Sequence, residues 1–189
     1  MITPLIAHIQ KYMPLTPEEQ KIIEEYVKYT TVKKNQYLFS EGDLCSDQYF
    51  VLNGCIRMYF IKHSGVEQIV QFAIDNWWIS DYTSLTLNTP SQFYLQAVQH
   101  GKLAVLKKDK QDELFTQVPK MEHYFRRIYQ RAYAAAQTRQ IYFSDLSGEE
   151  KYQHFASRFP EFIQRIPQYM LASYLGFTPE FLSKIRGKK

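Results

Sequence analysis

Thr178, Glu180, Ser183, Lys184 and Arg186 bring two hydroxyls, a carboxylate and two cations into the short stretch 178–186. On the outward faces of a helix, a carboxylate and a hydroxyl can pair with base edges, and cations can neutralise phosphates. Gln168 ahead of them, Phe181 among them and Lys188 behind them complete the candidate DNA-contacting set. The chemistry is recognition and not bond-making. The chain shows no nucleophile beside a base, no metal-ligand spacing and no glycine-rich phosphate loop, and Ser80-Asp81 is an isolated pair, so catalysis is not expected.

Residues 166–186 supply the frame for these groups. Pro167 suits the first position of a helix, and Met170, Leu171 and Leu175 recur on one of its faces. Gly176 tolerates the left-handed turn that ends the helix, and Phe177 plugs it. Thr178 then caps a second helix, Pro179 takes its first position, and Leu182 and Ile185 point back at the first. Ala172 is small enough to let the two helices cross closely. Leu171, Ala172, Leu175, Gly176, Phe177, Leu182 and Ile185 together fit a helix-turn-helix wherever packing restricts residue type. The competing reading is an ordinary helical hairpin; the polar and basic outward residues favour DNA.

Upstream, Pro119 opens a helix that runs to Asp145 without an internal proline or glycine, about 40 Å at 1.5 Å per residue. Phe125, Ile128, Ala132, Ala135, Arg139 and Tyr142 follow coiled-coil spacing and predict a seam that pairs two copies, against the alternative that this face packs on its own chain. Ser147 and Glu150 form a capping-box pattern, which places a hinge at 146–148 and a helix over 149–159. The Phe159-Pro160 step breaks that helix, and Glu161 to Arg165 lead into the helix-turn-helix.

The front of the chain begins with helices over Leu5 to Tyr12 and from Thr16, with Glu19 placed for a capping box. From Thr30 to Leu106 the pattern alternates and is cut by turn signals, which predicts an antiparallel roll or barrel of short strands. Asn53-Gly54 is read as a two-residue hairpin turn. Trp77, Trp78, Tyr82, Phe93 and Tyr94 could line a ligand pocket or simply form core. A short helix is expected over Asp109 to Thr116.

Composition narrows the class further. With 45% hydrophobic residues the chain is globular, and it has neither a run long enough to cross a membrane nor a signal-peptide pattern, so a cytoplasmic place is expected. Two cysteines, Cys45 and Cys55, argue against a disulfide framework or a cysteine-ligated cluster. Net charge is −2 over 1–119 and +3 over each of 120–148 and 149–189, a weak asymmetry that fits a polyanion-binding back half.

The order of roll, long helix, hinge and helix-turn-helix resembles the Crp/Fnr family of bacterial transcription regulators over nearly the whole chain. The local matches are Glu41-Gly42-Asp43, QYFVLNGCIRMY from Gln48, and RIPQYMLASYLGFTPEFLSKIR from Arg165. The resemblance implies an α+β protein: an N-terminal antiparallel β-roll or jelly roll similar to cyclic-nucleotide-binding domains over 1–118 with its N-terminal helices, a dimerisation helix over 119–146, and a winged-helix-type helix-turn-helix domain over 147–189. It places an effector pocket at Trp78, Ser80, Asp81, Tyr82, Ser91, Gln92 and Tyr94, where Ser80-Asp81 and Ser91-Gln92 match the family's ribose and phosphate steps. No Lys or Arg occurs between Lys62 and Lys102, so a buried phosphate would lack a cation and cyclic AMP is not expected. The cysteines of iron-sulfur members are missing, and no axial haem ligand is evident.

The family's leading recognition arginine corresponds to Pro179, which leaves Glu180, Ser183 and Lys184 as base readers. Only Gly187, Lys188 and Lys189 follow, so a wing is expected to be missing or displaced. The expected partners are double-stranded DNA, a second copy of the chain, an unidentified small-molecule effector and RNA polymerase, with no membrane. The alternative function is a small-molecule-binding module whose terminal helices make protein contacts.

Overall fold

Thr3 starts the first helix, α1 (Pro4–Gln10), by accepting from the Ile6 amide, and Pro4 occupies a position where a backbone N–H would go unpaired. The second, α2 (Pro17–Tyr26), opens with the expected capping box of Thr16 and Glu19. The molecule is described by a computed structural model covering residues 3–187, so Lys188, named above as a DNA contact, and Lys189 lie outside the described residues.

Eight strands follow: β1 (Val27–Val32), β2 (Tyr37–Phe39), β3 (Asp47–Asn53), β4 (Cys55–Ile61), β5 (Glu67–Ile74), β6 (Trp78–Ile79), β7 (Tyr94–Ala97) and β8 (Gly101–Lys107). They form two four-stranded sheets, ordered β1-β8-β3-β6 and β2-β7-β4-β5. The registers of β1, β3, β4 and their partners are antiparallel, for example Val27 opposite Leu106 and Ile56 opposite Ala97. Phe50, Val51, Ile56, Ile79, Leu95 and Leu103 are buried, because short β-branched and aromatic runs gain most by facing a shared core.

The Asn53-Gly54 expectation is corrected. β3 and β4 do not pair with each other; they belong to different sheets. Gly54 alone takes positive φ (123°), and its amide is held by Asp75 Oδ1 at 2.8 Å. The chain crosses between sheets here, at a point where the backbone passes close to Gly101. A Cβ on Gly101 would come within 2.5 Å of the Asn53 carbonyl oxygen. Both glycines are therefore set by a close backbone approach, not by a two-residue turn.

The helices are α3 (Tyr82–Leu87), α4 (Lys108–Gln117), α5 (Lys120–Asp145), α6 (Gly148–Arg158), α7 (Pro160–Arg165), α8 (Gln168–Leu175) and α9 (Pro179–Arg186). α3 interrupts the region read as all strand, and α7 is a helix of its own where only a lead-in was expected. Pro167 lies just outside α8 with an extended ψ of 140°, one residue earlier than its expected role. The chain divides into two compact units: Met1–Phe60 with Gln71–Ile128, and Ile61–Val70 with Tyr129–Lys189. This differs from a division at 118 and 146. α5 contributes its first part to one unit and its second part to the other, and residues 61–70 belong with the C-terminal helices.

Candidate nucleic-acid interface

The C-terminal helices pack as the residue pattern requires. Met170, Leu171, Ala172, Leu175, Leu182 and Ile185 are all buried, with Ala172 and Leu182 fully so. Gly176 ends α8 at φ 78°, and its amide returns to the Ser173 carbonyl at 3.2 Å. The Phe177 amide reaches the Ala172 carbonyl at 2.8 Å, which closes the turn. Thr178 caps α9 by accepting from the Phe181 amide at 3.2 Å. Two short helices are thus joined by a fixed left-handed turn, with no slack between them.

On this frame Glu180, Ser183 and Lys184 are exposed on α9, Thr178 is exposed at its start and Arg186 is half-buried near its end. Gln168 is exposed on the first turn of α8, beside Tyr169, which the sequence reading did not single out. Glu180 is held below the usual carboxylate range by its own backbone amide and the Thr178 hydroxyl, so it is an anion at neutral pH and only accepts hydrogen bonds. Near phosphates that charge would be repelled; against the N4 amino group of cytosine it is matched. Phe181 is 44% exposed, and its ring also serves the fold. It lies 5.2 Å from the Phe177 ring, and a Cβ on Gly148 would meet it at 2.5 Å. Gly148 was read only as part of a helix start; its lack of a side chain makes room for Phe181.

The seam expected along α5 is corrected at three positions. Phe125 is 1% exposed, in the core with Trp78 at 5.1 Å and Phe115 at 5.6 Å between ring centroids, so it cannot face a second copy. Arg139 is turned into its own unit, where it lies over the Tyr174 ring at 4.1 Å and the Phe143 ring at 4.9 Å. Tyr142 packs on His154 with centroids 4.1 Å apart. Each prefers a ready aromatic neighbour in its own chain to an open groove. Ile128 is half-buried, while Ala132 and Ala135 are exposed. Every residue from Gln130 to Gln137 is exposed, and the free apolar groups extend to Tyr133 (67%) and Ile141 (63%).

In the first unit, Asp81 and Ser91 of the residues assigned to an effector pocket bond each other, while Trp78, Ser80 and Tyr94 are engaged with residues outside that set. Asp81 Oδ1 accepts from the Thr83 and Ser84 amides and so caps α3, while Oδ2 accepts from the Ser91 hydroxyl at 2.7 Å. Ser80 donates to the Asp47 carbonyl at 2.6 Å and lies 3.2 Å from Cys45 Sγ. Trp78 Nε1 donates to the Tyr124 hydroxyl on α5 at 2.8 Å. Tyr94 stacks on Tyr59 at 5.0 Å, its hydroxyl 3.2 Å from Glu41. Tyr82 is half-buried and Gln92 is exposed. A surface depression lined by Glu25, Tyr26, Lys110 and Glu113 holds none of these residues.

Residues 29–118 match the cyclic nucleotide-binding domain. Over 168 residues the chain is 26% identical to the regulatory protein HlyX of Actinobacillus pleuropneumoniae, covering 83% of this chain and 69% of that one. FixK2 of Bradyrhizobium japonicum superposes with a TM-score of 0.71 at 14% identity, over 86% of this chain and 83% of that one. The c-di-GMP-responsive global regulator CLP of Xanthomonas campestris gives 0.73 at 14% identity, over 92% and 91%. At these identities the two structures establish the fold alone.

The residues of the matched segment, 29–118, do not fit a cyclic phosphate. Asp81 and Ser91 already bond each other, and no Lys or Arg stands in the sequence between Lys62 and Lys102. Arg57, a buried cation from β4, donates from Nε and Nη2 to Gln96 Oε1 at 2.9 and 2.7 Å and covers the Tyr59 ring. A buried anion would have to replace such contacts at high desolvation cost. The aromatic residues read either as pocket or as core thus include Trp78, which is core, and Trp77, which is 39% exposed.

Proposed function

We propose that this protein is a dimeric, DNA-binding transcription regulator that reads a near-palindromic site with α9. The observation that carries the reading is the exposed row of Glu180, Ser183 and Lys184 on a helix whose opposite face, Leu182 and Ile185, is locked against α8. Glu180 and Ser183 read base edges, and Lys184 reads a base or neutralises phosphate. Arg186, Gln168 and Thr178 add backbone contacts, with Lys188 as a further cation. Two copies paired through the exposed stretch of α5 would present two α9 helices to successive major grooves about 34 Å apart. The relatives named as regulatory proteins support the regulatory role. RNA polymerase is the further partner on a promoter, and any effector is a molecule other than cyclic AMP.

The test is a binding titration on promoter DNA at two salt concentrations. The expected result is sequence-selective binding that weakens with salt, because each phosphate contact releases counterions. Lys184→Ala with Ser183→Ala should remove selectivity. Folded protein that selects no DNA at low salt would reject the reading, and unchanged activity in the double variant would favour a ligand-binding module instead.

A further inference from the structure

We propose that Arg139 and Ser173 are positioning residues that fix the angle between α5 and the helix-turn-helix, and thereby the half-site spacing the protein accepts. This rests on the reading of α9 as the DNA-contacting helix and of α5 as the helix that pairs two copies.

The last turn of α8 is gripped from two sides. On one, the Ser173 hydroxyl donates to the Glu67 carbonyl at 2.8 Å and accepts from the Ile69 amide at 3.0 Å. A single side chain therefore satisfies both a donor and an acceptor of β5, which is the edge strand of its sheet. Gln68 Nε2 donates back to the Ser173 carbonyl. On the other side, Arg139 donates from Nη1 to the Val70 carbonyl and from Nη2 to the Tyr174 carbonyl at 3.1 Å. Its planar group lies over the Tyr174 and Phe143 rings. Burial lowers its pKa, so the carbonyls and ring faces stand in for lost water. The Tyr174 carbonyl is at the negative end of α8, which favours a cation there.

These contacts are directional. Rotating α8 about α5 would break the Arg139 bond to the Tyr174 carbonyl and pull the Ser173 hydroxyl away from Glu67 and Ile69, exposing the β5 edge. Phe143 stands beside Gly176, where an added Cβ would lie 3.4 Å from its ring, and Lys151 holds the Phe143 carbonyl at 2.9 Å. The α8–α9 turn is itself fixed by Ala172 and Gly176, so the direction of α9 follows from that of α8. With two copies joined along α5, the angle held in each sets the distance between the two α9 helices. One base pair of DNA advances the groove by about 3.4 Å, so a small change in that angle changes which spacing fits.

The experiment uses the full chain and three kinds of duplex: the selected site, the same half-sites with spacers changed by one and two base pairs, and a single half-site. Wild type should prefer one spacing. Ser173→Ala and Arg139→Lys should lose on the order of tenfold in discrimination between spacings, with single half-site binding nearly unchanged. Lys184→Ala should instead weaken binding to every duplex. Exchange of the Ile69 amide, followed by NMR, should speed up in Ser173→Ala, and it remains a readout if Arg139→Lys does not fold. A wild type that selects no duplex rejects the DNA-binding reading. A selective wild type with variants that keep its spacing profile, or unchanged Ile69 exchange in Ser173→Ala, overturns the positioning role.

Discussion

The Ser91 hydroxyl meets Asp81 Oδ2 at 2.7 Å with both residues buried, and the other carboxylate oxygen of Asp81 caps α3. The bond joins two places where an effector would be held, so it is structural as it stands. Asp81→Ala should lower stability by about 2–3 kcal/mol, combining a lost cap with a lost charge-assisted bond. Asp81→Asn, which keeps an acceptor, should lose less. Urea unfolding of the full chain measures both, and a loss for the alanine variant as small as a surface substitution would contradict the assignment. Cyclic AMP should leave the melting temperature unchanged.

Two substitutions on α5 should separate packing from pairing. Ala135→Asp, at an exposed position, should give monomers with little change in unfolding, as a buried like-charge pair would oppose association. Phe125→Ala should cost about 3–5 kcal/mol, because it empties a core site next to Trp78. Sedimentation velocity with thermal unfolding reads the two effects. A dimeric Ala135→Asp protein would exclude that face from the interface.

Gly148 and Phe181 predict a coupling. Gly148→Ala should cost a net of about 0.5 kcal/mol, since the added carbon pushes aside the outer edge of the partly exposed Phe181 ring while alanine favours the helix. In a Phe181→Ala background the same change should cost almost nothing. A double-mutant cycle measures the difference, and additive effects would show that the ring does not depend on this space.

Alkaline pH should act through Tyr29. Its pKa is raised to about 12, first by burial and then by its hydrogen bond to Glu24. Folding therefore favours the neutral phenol. The stabilisation is fully present below the unfolded value near 10 and is lost as pH rises towards 12. Tyr29→Phe should flatten this part of the pH–stability curve. An unchanged slope between pH 10 and 12 would assign the loss to other groups.

At the acid end the Ser147–Glu150 box gives the opposite sign. Glu150 is held below the ordinary carboxylate range by the Ser147 hydroxyl and amide. Its contribution is present above the unfolded value and disappears as pH falls through the lower, folded value. Glu150→Gln should reduce the acid sensitivity of unfolding followed at Tyr152; an identical acid limb would remove the box from the account.

The helix-turn-helix was legible because Gly176, Thr178 and the Leu182–Ile185 spacing are local signals. So were both capping boxes. The sheets were not legible strand by strand: Asn53-Gly54 has the chemistry of a tight hairpin, but pairing was decided by Gly101, distant in sequence. Asp81 and Ser91 were matched by resemblance, while their mutual bond follows from α3, a helix hidden in a strand-like run. Arg139 was the least legible. Its spacing fits a coiled-coil seam, yet its side chain finds two rings and two carbonyls in its own unit, and spacing along one helix contains no record of them.

The Ser173 bridge also bears on how the protein can be dissected. A fragment ending near residue 128 would keep Glu67 and Ile69 but lose the hydroxyl that serves them. The bare strand border left behind could recruit another copy by strand addition, so self-association of such a fragment would be an artefact of cutting. A fragment starting at 129 would keep Ser173 but lack residues 67–70. The fold of neither piece would stand for that of the intact chain; grafting 61–70 onto the second piece is the cleaner dissection.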